Sequence, residues 1–448
     1  MKKSIILLLI ISLLCCVFSF YSSAAYTDSF ETDAPIAYVV SSDKDSTVIY
    51  DKGSATKSDP GEIVKIVTGI LVIENCKDFS ETVTASNSAI RRIEQVRATT
   101  AGILVGEVMT VEELLYCLLV YNAGDAAVVL AEYIAGSEEQ FVTMMNDFAK
   151  SLGLKNTNFT NPVGFNEEGQ YSTAADIAVM FNYCMKNPQF SSIISTFLYE
   201  MPATNKYSQT RYLKNTNNLI NSGIYDYYFE YVKGGKSGYT SSLNCNCVSF
   251  ASKDGYNYIC VVLNAENKDY DNDNVSENMS FVVSKELYDW VFDNIKLREV
   301  ANVSTYVGEV EVRLSSKYDY VSLVPAENVS ALVPSGVDAS SVYIEPIGDI
   351  PPVDAPVKKG DLIGKAYVKY AGEIVAEVDL VADFDVNRSL IKYLGSLLLK
   401  TISNPVFIII AVAVIIIVPA VFFVWYRNTM LKRRAQRRRA YHNNMRRD

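Results

Sequence analysis

Val406 to Tyr426 runs for 21 residues without a charged side chain, broken only by Pro419, and this run limits what the chain can be. A helix rising about 1.5 Å per residue over that length crosses a hydrocarbon core of about 30 Å. Trp425 and Tyr426 close it with interfacial aromatics, and Arg427 opens a tail that carries nine basic groups and one acid to residue 448. Positive flanks stay cytoplasmic, so the bulk before the span is expected outside and the tail inside. A basic tail also suits nucleic acid, but beside a span anionic lipid accounts for it with fewer assumptions.

The other end carries a second targeting pattern. Lys2 and Lys3 precede an apolar run from Ile5 to Phe20, and small residues follow at Ser22, Ser23, Ala24 and Ala25. That order reads as a secretory signal cleaved after Ala25, with an uncleaved anchor as the alternative. A lipoprotein signal does not fit, because Cys15 and Cys16 follow Leu14 and Cys15 rather than a small residue. The net charge of −10 splits unevenly: the tail holds +8 and the signal +2, leaving −20 on residues 26–426. An ectodomain so acidic argues against nucleic acid as a partner.

The stretch between signal and span exceeds one ordinary core, so two domains are expected. Up to about residue 295 the pattern is mixed, with strand-like runs at Ala37–Val40, Thr47–Tyr50, Cys247–Ala251 and Tyr258–Leu263 around several helices. Thr110 to Glu113 and Ser137 to Gln140 both read as capping boxes that start helices. From Val300 to Ala382 only short alternating stretches appear, at Val310–Leu314, Tyr318–Val324, Ala366–Tyr370 and Ile374–Leu380. These predict a small all-β module. The expected organisation is a signal over 1–25, an α+β domain over 26–296, a β-rich domain over 297–386, a juxtamembrane helix over 387–404, a transmembrane helix over 405–426 and a cytoplasmic tail over 427–448.

The single histidine, His442, lies in the tail. The ectodomain therefore cannot hold a Ser-His-Asp triad, a Cys-His pair or a His-ligated zinc. Cys76, Cys117, Cys184, Cys245, Cys247 and Cys260 match no zinc spacing, so no metal and no cofactor is expected. Cys117 and Cys184 sit in apolar helical patterns as buried thiols, and a bridge between Cys247 and Cys260 stays open beside two free thiols.

An exported chain without histidine, whose hydrolytic chemistry would need a lysine or carboxylate base, points to the serine–lysine acyltransferases, with their S-x-x-K, S-x-N and K-T-G motifs. The ectodomain resembles the D-alanyl-D-alanine carboxypeptidases, the low-molecular-mass penicillin-binding proteins. Residues 37–40 and 49–52 resemble the family's opening hairpin, and Pro60, Lys65 and Thr68 fall where it has its first motif. Leu114–Leu119 and Asp125–Ala127 resemble the helix around the second motif. Gly153–Phe159, Asn161–Pro162, Gly164–Phe165 and Tyr171–Ala174 match a family loop, and Gly235 to Thr240 reads as the third motif. Ala355–Gly360 and Gly364 resemble the β-rich domain that precedes the family's anchor. The resemblance implies a penicillin-binding, β-lactamase-like transpeptidase domain followed by a small all-β domain and a C-terminal transmembrane helix. It also implies action at the peptidoglycan, with a stem peptide or an envelope protein as candidate partner.

Within that resemblance the catalytic positions have changed. The attacking serine, three residues before the motif lysine, falls at Glu62, while Lys65 keeps the base position. Acylation of a carboxylate would give an anhydride rather than an ester. The second motif's Ser and Asn fall at Asn122 and Gly124, and the basic residue after the third motif is assigned to Asn257. Lys236, Ser237 and Gly238 remain as the substrate-binding motif. Ser54–Lys57 and Ser41–Lys44 also spell S-x-x-K, but neither serine starts a helix, and both are expected to be solvated turn residues.

Glu62 is expected in the first turn of a helix over 62–75, where the dipole favours an acid and Lys65 is in reach. It is further expected to face Lys65 and Lys236 together and to neutralise both, so that the pocket is not acylated and holds a D-Ala terminus weakly. Three functional readings follow: an inactive binding or regulatory homologue, which the joint loss of catalytic positions favours; an active carboxypeptidase with an unorthodox site; and a purely structural envelope protein.

Overall fold

A computed structural model describes residues 30–444, apart from 43–45, 97, 240–243, 337–340 and 371–372. The expected signal over 1–25 lies outside the described residues, as do Asp43, Lys44 and Thr240 of the motifs above. The chain forms two compact units. The first holds the residues up to Ala301 with Val329–Glu345 and Tyr367–Glu377; the second holds Asn302–Asn328, Pro346–Ala366 and Val378–Asp448.

In the first unit, β1 (Ile36–Ser41) and β2 (Val48–Lys52) join β3 (Val232–Tyr239), β4 (Cys245–Lys253) and β5 (Tyr256–Ala265) in one sheet of order β2-β1-β5-β4-β3. Neighbours along this order are antiparallel, with Val39 opposite Tyr50 on one side of β1 and Cys260 on the other. A strand sends successive side chains to opposite faces, and here both faces are covered. Ile36, Tyr38 and Val40 of β1, with Ile259, Val261 and Leu263 of β5, enter the core shared with the helices. Ala37, Val39, Cys260 and Val262 enter a second core, closed by α4 (Met279–Asn294) through Met279, Val283, Leu287 and Val291. Burial on both faces is why these strands read as near-continuous apolar runs instead of alternating ones.

On the first face, α1 (Lys65–Asn75) is buried from Lys65 through Ile73, as a helix apolar nearly all round must be. Gly69 lets α2 (Val111–Leu119) approach, since a Cβ there would stand 2.7 Å from Leu119 Cδ2. Helix α3 (Gly124–Ala135) follows, ending at Gly136 with φ +82°. The start of α2 is the expected capping box: the Thr110 hydroxyl accepts from the Glu113 N–H at 3.1 Å, and the Glu113 carboxylate accepts from the Thr110 N–H at 2.8 Å. Ser137 caps its helix by accepting from the Gln140 N–H at 3.2 Å, a single N-cap bond in place of the expected reciprocal box.

The β-rich segment is built of strands as its alternation predicts. The strand Ile295–Ala301 leaves α4 and pairs with Val329–Pro334 in the first unit. In the second unit β6 (Gly308–Arg313) pairs with β7 (Tyr320–Pro325), which pairs in turn with Leu380–Ala382. Helices α5 (Leu390–Ile402) and α6 (Pro405–Asn444) close the described chain. Over Pro405–Gln436, α6 is long and apolar enough to cross a membrane, and none of its most apolar stretch is buried by protein.

Two expectations need correction. The α-helix begins at Lys65 rather than at residue 62, because Gly61 sits at φ +53° and Gly61–Val64 tightens into a 3-10 turn. Ser41 and Ser54 are buried, not solvated. Ser54 donates from Oγ to Asp51 Oδ2 at 2.7 Å, which folds the hairpin end inward. Cys247 and Cys260 are free thiols: Cys247 lies opposite Val262 and Cys260 opposite Ser249, so the two are offset along the strands. Replacing Thr110 with Ala is expected to cost about 1 kcal/mol of stability through loss of the cap, measurable as a lower urea midpoint of the detergent-solubilised chain.

Candidate functional site

The site forms where the turn before α1 meets the end of β3. Pro60 and Gly61 bring the chain round, with Gly61 N–H donating to Asp59 Oδ1 at 2.9 Å and Asn246 Nδ2 to the Asp59 carbonyl at 3.0 Å. Behind the turn, Gly164 packs against the backbone of Gly61 and Glu62, and a Cβ at its φ of +89° would run into the Gly61 carbonyl. The Asn161 side chain accepts from the Gly164 N–H at 2.7 Å, and Thr68 Oγ1 donates to the Pro162 carbonyl at 2.7 Å. The loop seen in the sequence around Asn161–Gly164 therefore fixes the position of Glu62.

Four donors from four places converge on the Glu62 carboxylate. Lys65 Nζ stands 3.2 Å and Thr99 Oγ1 3.0 Å from Oε1. Asn122 Nδ2 stands 2.8 Å and the Tyr239 backbone N–H 3.4 Å from Oε2. Gly238 makes room for this, since a Cβ there would lie 2.5 Å from Glu62 Cβ. Lys65 has a fully buried side chain and Glu62 one that is 15% exposed. Lys236 is also buried, but its amine turns to the carbonyls of Leu118 (3.2 Å) and Leu119 (3.1 Å) at the end of α2. Glu62 thus pairs directly with Lys65, while Lys236 acts on it through charge.

The second-motif positions explain themselves sterically. Asn122 sits at φ +69°, a left-handed conformation that asparagine tolerates better than most residues, and it is 3% exposed. Its Nδ2 also reaches the Ser237 carbonyl at 3.4 Å, while its buried Oδ1 has no hydrogen-bond partner among the described residues. Gly124 opens α3 against a wall: a Cβ would meet Val163 Cγ1 at 2.9 Å and the Thr99 carbonyl at 3.1 Å. The Gly124 N–H donates to that same carbonyl at 2.7 Å. Ser237 Oγ donates to the Thr216 carbonyl at 2.9 Å, away from Glu62.

Asn257 does not belong to the site. It lies at the start of β5 opposite Ser252, whereas Tyr239 at the site end of β3 opposes Cys245, and Cys245 opposes Ala265 at the far end of β5. The residue that reaches the cleft from that end is Asn267. The cleft, about 290 Å³ in volume, is further lined by Thr99, Thr216, Asn218, Tyr227 and Asn278, none of which the sequence reading singled out. Asn218 opens a three-residue 3-10 turn and Asn278 caps α4, while Thr99, Thr216 and Tyr227 lie in irregular chain, and no motif marks any of them.

Outside the cleft, Asp269, Asp271 and Asp273 bring carboxylate oxygens within 4.8 Å of one another on an exposed loop. These oxygens accept the loop's own N–H groups, from Asp273 (3.1 Å) and Asn274 (3.1 Å), and so serve the turn.

Burial pushes the Glu62 carboxyl up, but the charges of Lys65 and Lys236 and the hydrogen bonds from Lys65 and Thr99 outweigh it, so it is held below its ordinary value. Burial lowers the Lys65 amine against the opposing pull of Glu62 and Asp125. Burial together with the Lys65 charge drives the Lys236 amine well below its ordinary value, with Glu62 opposing. A depressed carboxyl contributes stability above its unfolded value of about 4.3 and loses it as pH falls through the folded value. For a depressed amine the unfolded chain binds more protons between the folded value and about 10.4, so stability rises with pH across that window. At the centre of this arrangement stands a carboxylate that accepts two hydrogen bonds on each oxygen.

The family described as D-alanyl-D-alanine carboxypeptidase matches residues 24–267, and the C-terminal domain of penicillin-binding protein 5 matches residues 296–388. The D-alanyl-D-alanine carboxypeptidase DacF of Bacillus subtilis is 31% identical over 76% of this chain and 83% of its own length. DacC of Escherichia coli is 27% identical over 75% of this chain and 80% of its own. Penicillin-binding protein 5 of Haemophilus influenzae superposes with a TM-score of 0.60 at 25% identity, covering 80% of this chain and 99% of that one.

Replacing Glu62 with Ala strands a buried ammonium at Lys65 and is expected to cost about 3–5 kcal/mol. Thermal melts of wild type and variant, each with and without added acetate, check this. Acetate should recover part of the variant's loss and leave wild type unmoved, and a variant as stable as wild type would show the pair to be idle.

Proposed function

Because the chain belongs to the D-alanyl-D-alanine carboxypeptidase family, we propose that it is a catalytically inactive member, acting at the peptidoglycan as a binding or regulatory homologue. The observation that carries this reading is Glu62 at the nucleophile position, bonded to Lys65, Thr99, Asn122 and the Tyr239 N–H. Acyl transfer in this family's chemistry needs a hydroxyl that a neighbouring base deprotonates, with N–H donors kept open for the oxyanion. Here the base position, Lys65, is spent on an ion pair, and the Tyr239 N–H is directed at Glu62. The wall around Gly124 adds weight, since it leaves no volume for a larger polar side chain at the second motif.

The domain of residues 26–296 carries the cleft, and residues 297–386 form a separate β-rich domain. Helix α6 is read as a single-pass anchor over 405–426, with the N-terminal bulk outside and the basic tail in the cytoplasm, after removal of a signal over 1–25. The apolar length of α6 and the basic residues that follow it support this topology.

Incubation with a fluorescent penicillin tests the reading: no covalent label is expected on the wild-type chain, at any time, against an active relative run in parallel. Covalent labelling would sink it. Glu62→Ser alone is expected to stay unlabelled too, because Asn122 and Gly124 still lack the family's second-motif groups.

A further inference from the structure

The cleft wall differs from an anion receptor in one simple respect. Of its described lining residues Glu62 alone bears a charge, and both lysines of the site lie buried behind it. The rest of the wall is neutral and rich in amides: Asn122, Asn218, Asn267 and Asn278, beside Tyr227 and Phe281.

The donors that would greet an incoming carboxylate are already used. Each Glu62 oxygen accepts two hydrogen bonds, which fills its acceptor capacity and consumes Lys65, Thr99, the Asn122 amide and the Tyr239 N–H. What the cleft still offers is neutral amide: Asn218 and Asn267 line it with side chains that both donate and accept. Asn122 Oδ1 also lacks a partner among the described residues, but it is enclosed and presents no surface to the cleft. A ligand that suits this wall brings amide groups and no anion.

Resting on the reading of a non-catalytic binding homologue, we propose that the cleft takes a neutral, amide-bearing peptide segment, and discriminates against a free C-terminal carboxylate. The side-chain amides of Asn218 and Asn267 offer donors and acceptors to the ligand's amide groups, and Tyr227 and Phe281 give its methyl and methylene groups an apolar face. A terminal carboxylate in the same place would find Glu62 as a like charge with its compensating donors taken.

Two probes decide between these outcomes on the full chain in detergent micelles: N-acetyl-D-Ala-D-Ala as the free acid, and the same dipeptide as its C-terminal carboxamide. Titration followed by calorimetry is expected to show the carboxamide binding at least ten-fold tighter than the acid. In Glu62→Gln, which removes the charge and keeps the shape, the discrimination should shrink to less than three-fold. Acid binding equal to or tighter than carboxamide binding on wild type overturns the proposal, as does the absence of binding by both probes at millimolar concentration. Neither result touches the penicillin experiment, whose failure is a covalent label, so the two readings fall separately.

Discussion

The carboxylate of Glu62 is the point on which the site's geometry turns. Lys65 is fully buried on α1, and an ammonium in that position is tolerable only with an anion beside it. Glu62 supplies that anion from one turn earlier on the same segment, and the 3-10 turn over Gly61–Val64 sets the approach. Thr99, Asn122 and the Tyr239 N–H then close on it from separate loops and from the end of β3. One ion pair therefore ties the start of α1, the entry to α3 and the edge strand β3 together.

The neighbouring positions are fitted to this arrangement. Gly238 leaves space for the Glu62 Cβ, and Gly164 lets the loop behind it press on the turn. Gly124 stands where Val163, Ala98 and Thr99 leave no room for a side chain. Asn122 occupies a left-handed backbone position and spends its amide on Glu62. Burial by itself would push such an acid up; here the neighbouring charges and donors hold it below its ordinary value.

Much of the fold was readable in the chain because its signals are local. The Thr110 capping box, the apolar runs of β1, β4 and β5, the alternation of the β-rich segment and the length of the uncharged run near the C-terminus all act within a few residues. The elements that misled were those whose state depends on distant neighbours. Ser54 looks like a solvated turn residue, yet it is folded inward onto Asp51. Asn257 resembles the family's position on the strand after the third motif, but strand register places it at the opposite end of β5. Thr216, Asn218 and Asn278 reach the cleft from a loop, a three-residue 3-10 turn and a helix N-cap, none of which carries a periodic signal.

The amino-acid sequence by itself determined the class of architecture, the family and the glutamate three residues before Lys65, because motif spacing and hydrophobic period are written along one dimension. It also placed Lys65 within reach of Glu62, since three residues on a helix bring two side chains to one face. Tertiary structure alone decided that Lys236 turns to the carbonyls of α2 rather than to Glu62. It decided as well that both carboxylate oxygens are saturated, while Asn122 Oδ1 is enclosed without a partner among the described residues. Those outcomes depend on which loops meet across the sheet edge, and hydrogen bonds between residues far apart in the chain leave no trace in its local pattern.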